Sequence, residues 1–247
     1  MWFRLCLLFI GCALIGKTWH FARDGFRIDR CQPLEFSSHG QFSDTQTYRY
    51  LASGRQFYVF ESLDGRFVVK LPRTDIYRPT FLRRVFPNAN KEASRLGRKE
   101  FLLESVRMAA EELSEETGIL AVSPNEKLFL IDRLGRTVLY TGPCVWQRKV
   151  PLLMSQLEVA LQQDRSAVER MLAGLADVLQ TKKVKGILTK DASFLRNFGF
   201  DGQHVYELDV GSFCHAPGSM VYARQPIAEW LEAHNREAAQ FFRERTQ

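Results

Sequence analysis

Apolar and polar positions along the chain fall into stretches of clearly different texture. Leu5–Gly16 is uncharged and mostly apolar, bracketed by Arg4 and Lys17, and residues 17–46 are a polar connection without a strong period. From Tyr48 the pattern turns to β. Phe57-Tyr58-Val59-Phe60 and Arg66-Phe67-Val68-Val69-Lys70 are rich in aromatic and β-branched residues, and Asp64-Gly65 between them is a hairpin signal. Residues 73–100 are basic and turn-rich, which predicts a solvated insertion, with an anionic lipid or polymer patch as the sharper alternative. A helix is predicted over Lys99–Thr117, because Leu103, Val106, Ala110 and Leu113 share one face and Gly118 supplies a stop. Two more strands are predicted, Lys127–Ile131 and Arg136–Tyr140, turning at Gly135; Val145–Val150 either continues the sheet or leaves it.

The second half is predicted mostly helical. Leu152–Gln163 reads as one helix. Val168, Met171, Leu172, Leu175, Val178 and Leu179 repeat with a 3.6-residue period through Ser166–Lys182. A loop and a hairpin turning at Asp201-Gly202 follow. A last helix is expected from about Pro226, with Ile227, Trp230, Leu231, His234 and Phe241 on one side and the proline at its first turn, where no donor is needed. Strands, helix, strands, then helices make the chain an α+β protein.

Composition narrows this only a little. A chain of 247 residues can bury one sizeable core or two lobes, and 45% hydrophobic with 25% charged residues excludes wholesale disorder. The net charge of +6 suits a nucleotide, an anionic membrane or nucleic acid, and by itself selects none of them. The aromatics are spaced as core residues rather than as a stacking platform, so no nucleic-acid partner is expected. Cysteines at 6, 12, 31, 144 and 214 show neither a disulfide framework nor metal-ligand spacing, which favours a reducing compartment. The five histidines are dispersed, and adjacent Cys214-His215 is a poor nucleophile pair.

The apolar segment at the start is a separate device. It is short against the ~20 residues of a spanning helix and closer in length to a signal-peptide core. Trp2, Phe3, Trp19 and Phe21 would serve as interfacial aromatics for a short membrane anchor. An uncleaved anchor, a cleaved signal and a peripheral or buried segment all remain open. Lys17, Arg23, Arg27 and Arg30 follow the segment while only Arg4 precedes it, a bias that puts the domain on the cytoplasmic side.

Candidate chemistry concentrates between 185 and 211. The order there is Lys185-Gly186-Ile187-Leu188-Thr189-Lys190-Asp191, then Asn197, a hairpin, and Leu208-Asp209-Val210-Gly211. Two carboxylates and a carboxamide are what phosphoryl transfer requires to hold magnesium-bound phosphate and to orient a hydroxyl. Singly, each is explained as a helix cap, a loop side chain or a turn former. Taken in order they are more specific, and residue by residue this stretch resembles the catalytic loop and metal-binding turn of the protein-kinase-like superfamily. Thr189-Lys190-Asp191 stands where that family has His-Arg-Asp, and Asp209-Val210-Gly211 where it has Asp-Phe-Gly.

The resemblance covers about residues 48–213 and implies a two-lobed fold. Its divisions are an N-terminal hydrophobic segment (1–21), a linker (22–47), a small lobe (48–150) and a reduced large lobe (151–247). It implies ATP and Mg2+ as cofactors, with Lys70 of Val68-Val69-Lys70 on the phosphates and Asp191 orienting the acceptor hydroxyl. Asn197 and Asp209 would be the metal ligands. Lys70 should pair with a helix carboxylate: Glu104, Glu111, Glu112 and Glu116 are available, and Glu112 is the choice by its distance from the helix end. Ser53 and Gly54 in Leu51–Phe57 would take the place of the phosphate-binding loop. Departures are the single glycine of that loop, the loss of His and Arg before Asp191, and an Asn197 one residue later than the family spacing. Ala216-Pro217-Gly218 does not substitute for Ala-Pro-Glu, and a platform for peptide substrates is not expected. The function implied is a membrane-associated phosphotransferase moving the ATP γ-phosphate to a sugar, lipid-linked or other non-peptide hydroxyl; the alternative is a catalytically inactive pseudokinase acting as a scaffold at the membrane.

Overall fold

The computed structural model describes residues 14–19, 21–31, 34–42, 47–74, 89–190, 194–216 and 221–246, with the backbone alone for 89–92, 194, 195 and 221–224. The β-type runs pair as their alternation demands. β1 (Thr47–Ser53), β2 (Phe57–Ser62) and β3 (Phe67–Pro72) form an antiparallel meander, with Phe60 opposite Val69. β4 (Ile119–Ile131) and β5 (Thr137–Arg148) form a long hairpin. β5 pairs with β3, and β1 pairs in parallel with β4, so the order β1-β2-β3-β5-β4 closes on itself as a small barrel. Closure leaves these strands no open edge.

Period-two alternation fills the barrel. Tyr48, Tyr58, Phe60, Val69, Leu71, Leu128, Leu130, Tyr140 and Trp146 are buried together. Their polar tips are satisfied: Trp146 Nε1 donates to Tyr48 Oη at 3.1 Å, and Tyr58 Oη donates to the Gly25 carbonyl at 2.8 Å. Since Val69 and Leu71 point inward, Lys70 between them must point outward. That single consequence of the pleat sets up the site.

Against the outer face lies α1 (Ala89–Glu111), followed by the single turn α2 (Ser114–Thr117), which ends at left-handed Gly118 (φ 64°). Leu102, Val106, Ala109, Ala110 and Leu113 pack there with Phe57, Val145, Ile187, Val210 and Phe213. The helix expected over 99–117 therefore begins ten residues earlier and is broken at Leu113. Its first third is masked in the sequence because Lys, Arg, Leu and Glu favour helices as readily as they solvate loops. β4 likewise begins at Ile119 rather than Lys127. Pro124-Asn125 hid its first half, and a bulge between Ser123 and Glu126 accommodates them. Val145–Arg148 continues the sheet.

Part of the stretch read as a linker is structural. Phe26 and Cys31 join the barrel core, Leu34 and Phe36 pack on α1, and His39 pairs with Val122. Its lack of period reflects irregular backbone, not absence of contacts.

The second half is helical as expected, with short strands. α3 (Leu153–Gln163) and α4 (Arg165–Val184) are separated by Asp164, whose carboxylate caps α4 by accepting from Ala167 N at 3.0 Å. β6 (Ile187–Thr189) and the single turn α5 (Phe194–Asn197) lead to the hairpin of β7 (Phe198–Phe200) and β8 (Val205–Glu207). β9 (Phe213–His215) then returns antiparallel to β6. The last helix is two: α6 (Val221–His234) and α7 (Arg236–Arg245), split where Asn235 caps the second through Ala238 N at 3.0 Å. Pro226 lies inside α6 rather than at its start. No described helix is long and apolar enough to cross a membrane, and most of Leu5–Gly16 lies outside the described residues.

Candidate active site

Outward-facing Lys70 enters the gap between the barrel and the β7–β8 hairpin. It is only 8% exposed, and its ammonium donates to the backbone carbonyl of Leu208. Burial pushes its pKa down to about 8, while the nearby Asp209 carboxylate works in the opposite direction. Asp209 begins the turn after β8. Its carboxylate accepts from Gly211 N at 3.1 Å and, more loosely, from the Ser212 hydroxyl at 3.4 Å. This local turn fixes where Asp209 stands.

The helix and the barrel of the N-terminal half both grip that turn. Val210 is fully buried against α1. Ser105, on α1, donates its hydroxyl to the Val210 carbonyl at 2.8 Å and accepts from Phe213 N at 2.7 Å. From the β1–β2 turn, Gln56 Nε2 donates to the Gly211 carbonyl at 2.7 Å. A side chain at Gly211 would collide, since a Cβ would stand 2.0 Å from Gln56 Oε1. Close approach, rather than an unusual φ, is what requires glycine here.

Behind the hairpin lies a buried polar network. Lys182 of α4 donates to Glu207 and to the Thr189 hydroxyl, and that hydroxyl donates to Glu207 Oε1 at 2.6 Å. Lys182 also lies over the Phe213 ring, 5.0 Å from its centre. Gln147 Nε2, buried on β5, donates to the Thr117 carbonyl at 2.6 Å and reaches the Glu207 and Leu208 carbonyls at 3.4 and 3.5 Å. Thr189 is thus the hydroxyl that joins an ion pair seating the strand leading to Asp209.

Of the residues singled out in the sequence, Lys70 and Asp209 meet in one cleft. Asn197 is buried, its carbonyl accepts from Leu208 N, and the pairing of Phe198 with Glu207 puts it one residue from the Asp209 position. Gly54 lines the same cleft, but its N–H is taken by the Phe57 carbonyl at 2.8 Å and its carbonyl by Arg73 at 2.9 Å. Ser53 faces elsewhere: its hydroxyl donates to the Asp24 carboxylate at 3.0 Å. Asp191 lies outside the described residues.

The pairing of Lys70 with Glu112 is corrected. Glu112 sits beside Arg107 and His215, each at 3.5 Å. Glu104 and Glu111 also pair with Arg107, and Glu116 with Lys185. The reason is helix length. Glu112 was counted from an end at Thr117, but α1 stops at Glu111; Ser105 is level with the Asp209 turn, and Glu112 lies two turns, ~10 Å, farther along the axis. The residues α1 brings to the cleft are Arg98 and Phe101.

The cleft has a volume of about 640 Å³, within the range of sites that take a nucleotide. A buried cation and a strand-end carboxylate with a neighbouring carboxamide are a donor set suited to phosphate and Mg2+, so the residues present fit both. Sequence reasoning missed Ser105, Gln147, Lys182 and Glu207. Two of them carried a signal: Ser105 falls in the apolar row of Leu102 and Ala109, and Lys182 in that of Val178 and Leu179. A lone polar residue on a buried stripe must have a buried partner.

No family model matches this chain, and no curated protein matches it. Among solved structures it is similar to WbdD in co-crystal with the kinase inhibitor LY294002, at 17% identity and TM-score 0.44, over 75% of this chain and 38% of that one. A second structure of WbdD, described elsewhere as a bifunctional kinase-methyltransferase, gives 16% identity and TM-score 0.44 over 82% and 46%. The LegK7 effector kinase of Legionella pneumophila gives 11% and 0.36 over 83% and 36%. The chain spans less than half the length of each. The order expected from the sequence resemblance is present in the topology: five strands and one long helix, a lysine on the third strand, and a hairpin followed by aspartate at the gap below it.

Proposed function

We propose that this protein is an ATP- and Mg2+-dependent phosphotransferase whose acceptor is a non-peptide hydroxyl. One observation carries the proposal: Lys70, from one lobe, is buried against Leu208 and electrostatically coupled to Asp209 from the other. A buried ammonium whose neighbouring carboxylate is engaged in its own turn is incompletely compensated until a phosphate meets the ammonium and a metal the carboxylate. Lys70 would hold nucleotide phosphate, and Asp209 with Asn197 would hold Mg2+, which supplies charge neutralisation when bound. Asp191 would orient the hydroxyl. A non-peptide acceptor is favoured because Ala216-Pro217-Gly218, after β9, does not match the Ala-Pro-Glu of a peptide-substrate platform. Mg2+-dependent ATP binding, measured by calorimetry, should be lost in Asp209→Ala; an unchanged isotherm would sink the proposal.

The pseudokinase reading has its own support in the Gln56–Gly211 contact and the absence of a helix carboxylate at Lys70 among the described residues. Turnover abolished by Asp191→Asn would exclude it. Membrane association through residues 1–21 belongs to the same proposal, supported by the apolar run and by exposed Trp19 and Phe21 beyond it. Co-sedimentation of the full chain with anionic vesicles, and not of a chain lacking residues 1–21, is the expected result.

A further inference from the structure

The charge around the cleft exceeds what the proposed chemistry uses. Arg98 from α1, Lys190 just after β6 and Arg196 from α5 come from three separate elements and line the cavity that Lys70 and Asp209 share. Asp209 is its only carboxylate among the described lining residues. Arg107 is matched by Glu104 and Glu111, and Arg136 by Asp132. Arg98 and Arg196 make no ion pair among the described residues. Lys190 is held by its backbone, which donates to the Ser212 carbonyl at 2.9 Å, and by the Phe101 ring, 4.2 Å from its ammonium.

Mg2+ cancels about half the charge of a nucleoside triphosphate, and Lys70 with Arg55 of the β1–β2 turn is placed to meet the rest. Of the other cations in the cleft, Lys190 and Arg196 flank in sequence the segment that carries Asp191, and Phe101 of α1 ties Lys190 to the helix that brings Arg98. We infer that Arg98, Lys190 and Arg196 form a second anion site that takes a phosphate group carried by the acceptor, so that the substrate is an already phosphorylated hydroxyl compound. This rests on the phosphotransferase reading. Planar guanidinium forks suit phosphate oxygens, and a cleft of one sign draws such an acceptor in.

The test is calorimetry on the full chain saturated with Mg2+ and a non-hydrolysable ATP analogue, titrated with inorganic phosphate and then with a hexose 6-phosphate. Wild type should bind both, the ester at least as tightly. The double variant Arg98→Ala/Arg196→Ala should weaken both by about tenfold or more, with nucleotide affinity nearly unchanged. No phosphate binding to the nucleotide-saturated protein overturns the inference, as does equal loss of nucleotide and phosphate in the double variant. A site that takes inorganic phosphate but excludes the ester would be an effector site, which also overturns it. Should wild type bind no nucleotide while phosphate binding still depends on Arg98 and Arg196, the kinase reading falls and the anion site stands.

Discussion

Two lysines are buried beside the β7–β8 hairpin, and their surroundings differ. Lys182, 3% exposed, has a carboxylate, a hydroxyl and an aromatic face. Lys70, 8% exposed, has one carbonyl and the field of a carboxylate engaged with its own turn. A charge whose partners are all supplied by the protein is a strut. A charge left partly unmet is a binding group, because only a ligand can complete it.

The contrast is most exposed to test at Lys182. Lys182→Met strands the Glu207 carboxylate, and unfolding by denaturant should show a loss of about 3–5 kcal/mol. The double variant Lys182→Met/Glu207→Leu should recover most of it; failure to recover would mean that the network is not a self-contained pair. Lys70→Met should behave oppositely. The empty protein keeps or gains stability, while ATP affinity falls by about 2 kcal/mol or more, roughly thirtyfold. Equal damage to both properties would erase the distinction between strut and binding group.

The pH dependence follows from the direction of the shift. Lys70 has a folded pKa of about 8, below its ordinary value of 10.5. Its charge therefore opposes folding of the empty protein fully below pH 8, and stability relative to Lys70→Met should rise as pH goes from 8 toward 10.5. Nucleotide binding needs the charged form, so its Kd should be flat below pH 7 and weaken by up to about tenfold per unit above 8. A pH-independent Kd would place the phosphates elsewhere. The smallest expected effect is at Gln56. Gln56→Ala removes one neutral hydrogen bond across the gap, worth about 1 kcal/mol, and should tighten nucleotide binding by up to about fivefold. Weaker binding would show that the contact supports the ligand instead of competing with it.

Much of this site was legible. Lys70 could be placed because Val68-Val69-Lys70 reads as a strand and resembles the lysine-bearing strand of protein kinases. Asp209 could be placed because a hydrophobic strand ends there before Val-Gly. Glu112 could not be placed. Its choice was counted back from a helix end expected at Thr117, whereas α1 stops at Glu111, and helix ends are weakly encoded. Ser53 was misassigned for a different reason: its partner, Asp24, lies in a stretch without periodicity, and irregular backbone leaves no pattern to read.

The sequence by itself determined most of the order of strands and helices and the adjacency of Asn197 to the hairpin that leads to Asp209. These follow from periods of 2 and 3.6 and from turn chemistry, all of them local. Only the tertiary structure decided that Lys182 is Glu207's partner, that Gln56 meets Gly211 and that Arg98, Lys190 and Arg196 share one cleft with Asp209. Those contacts join residues far apart in the chain, where geometry is set by how whole elements pack and no local pattern records it.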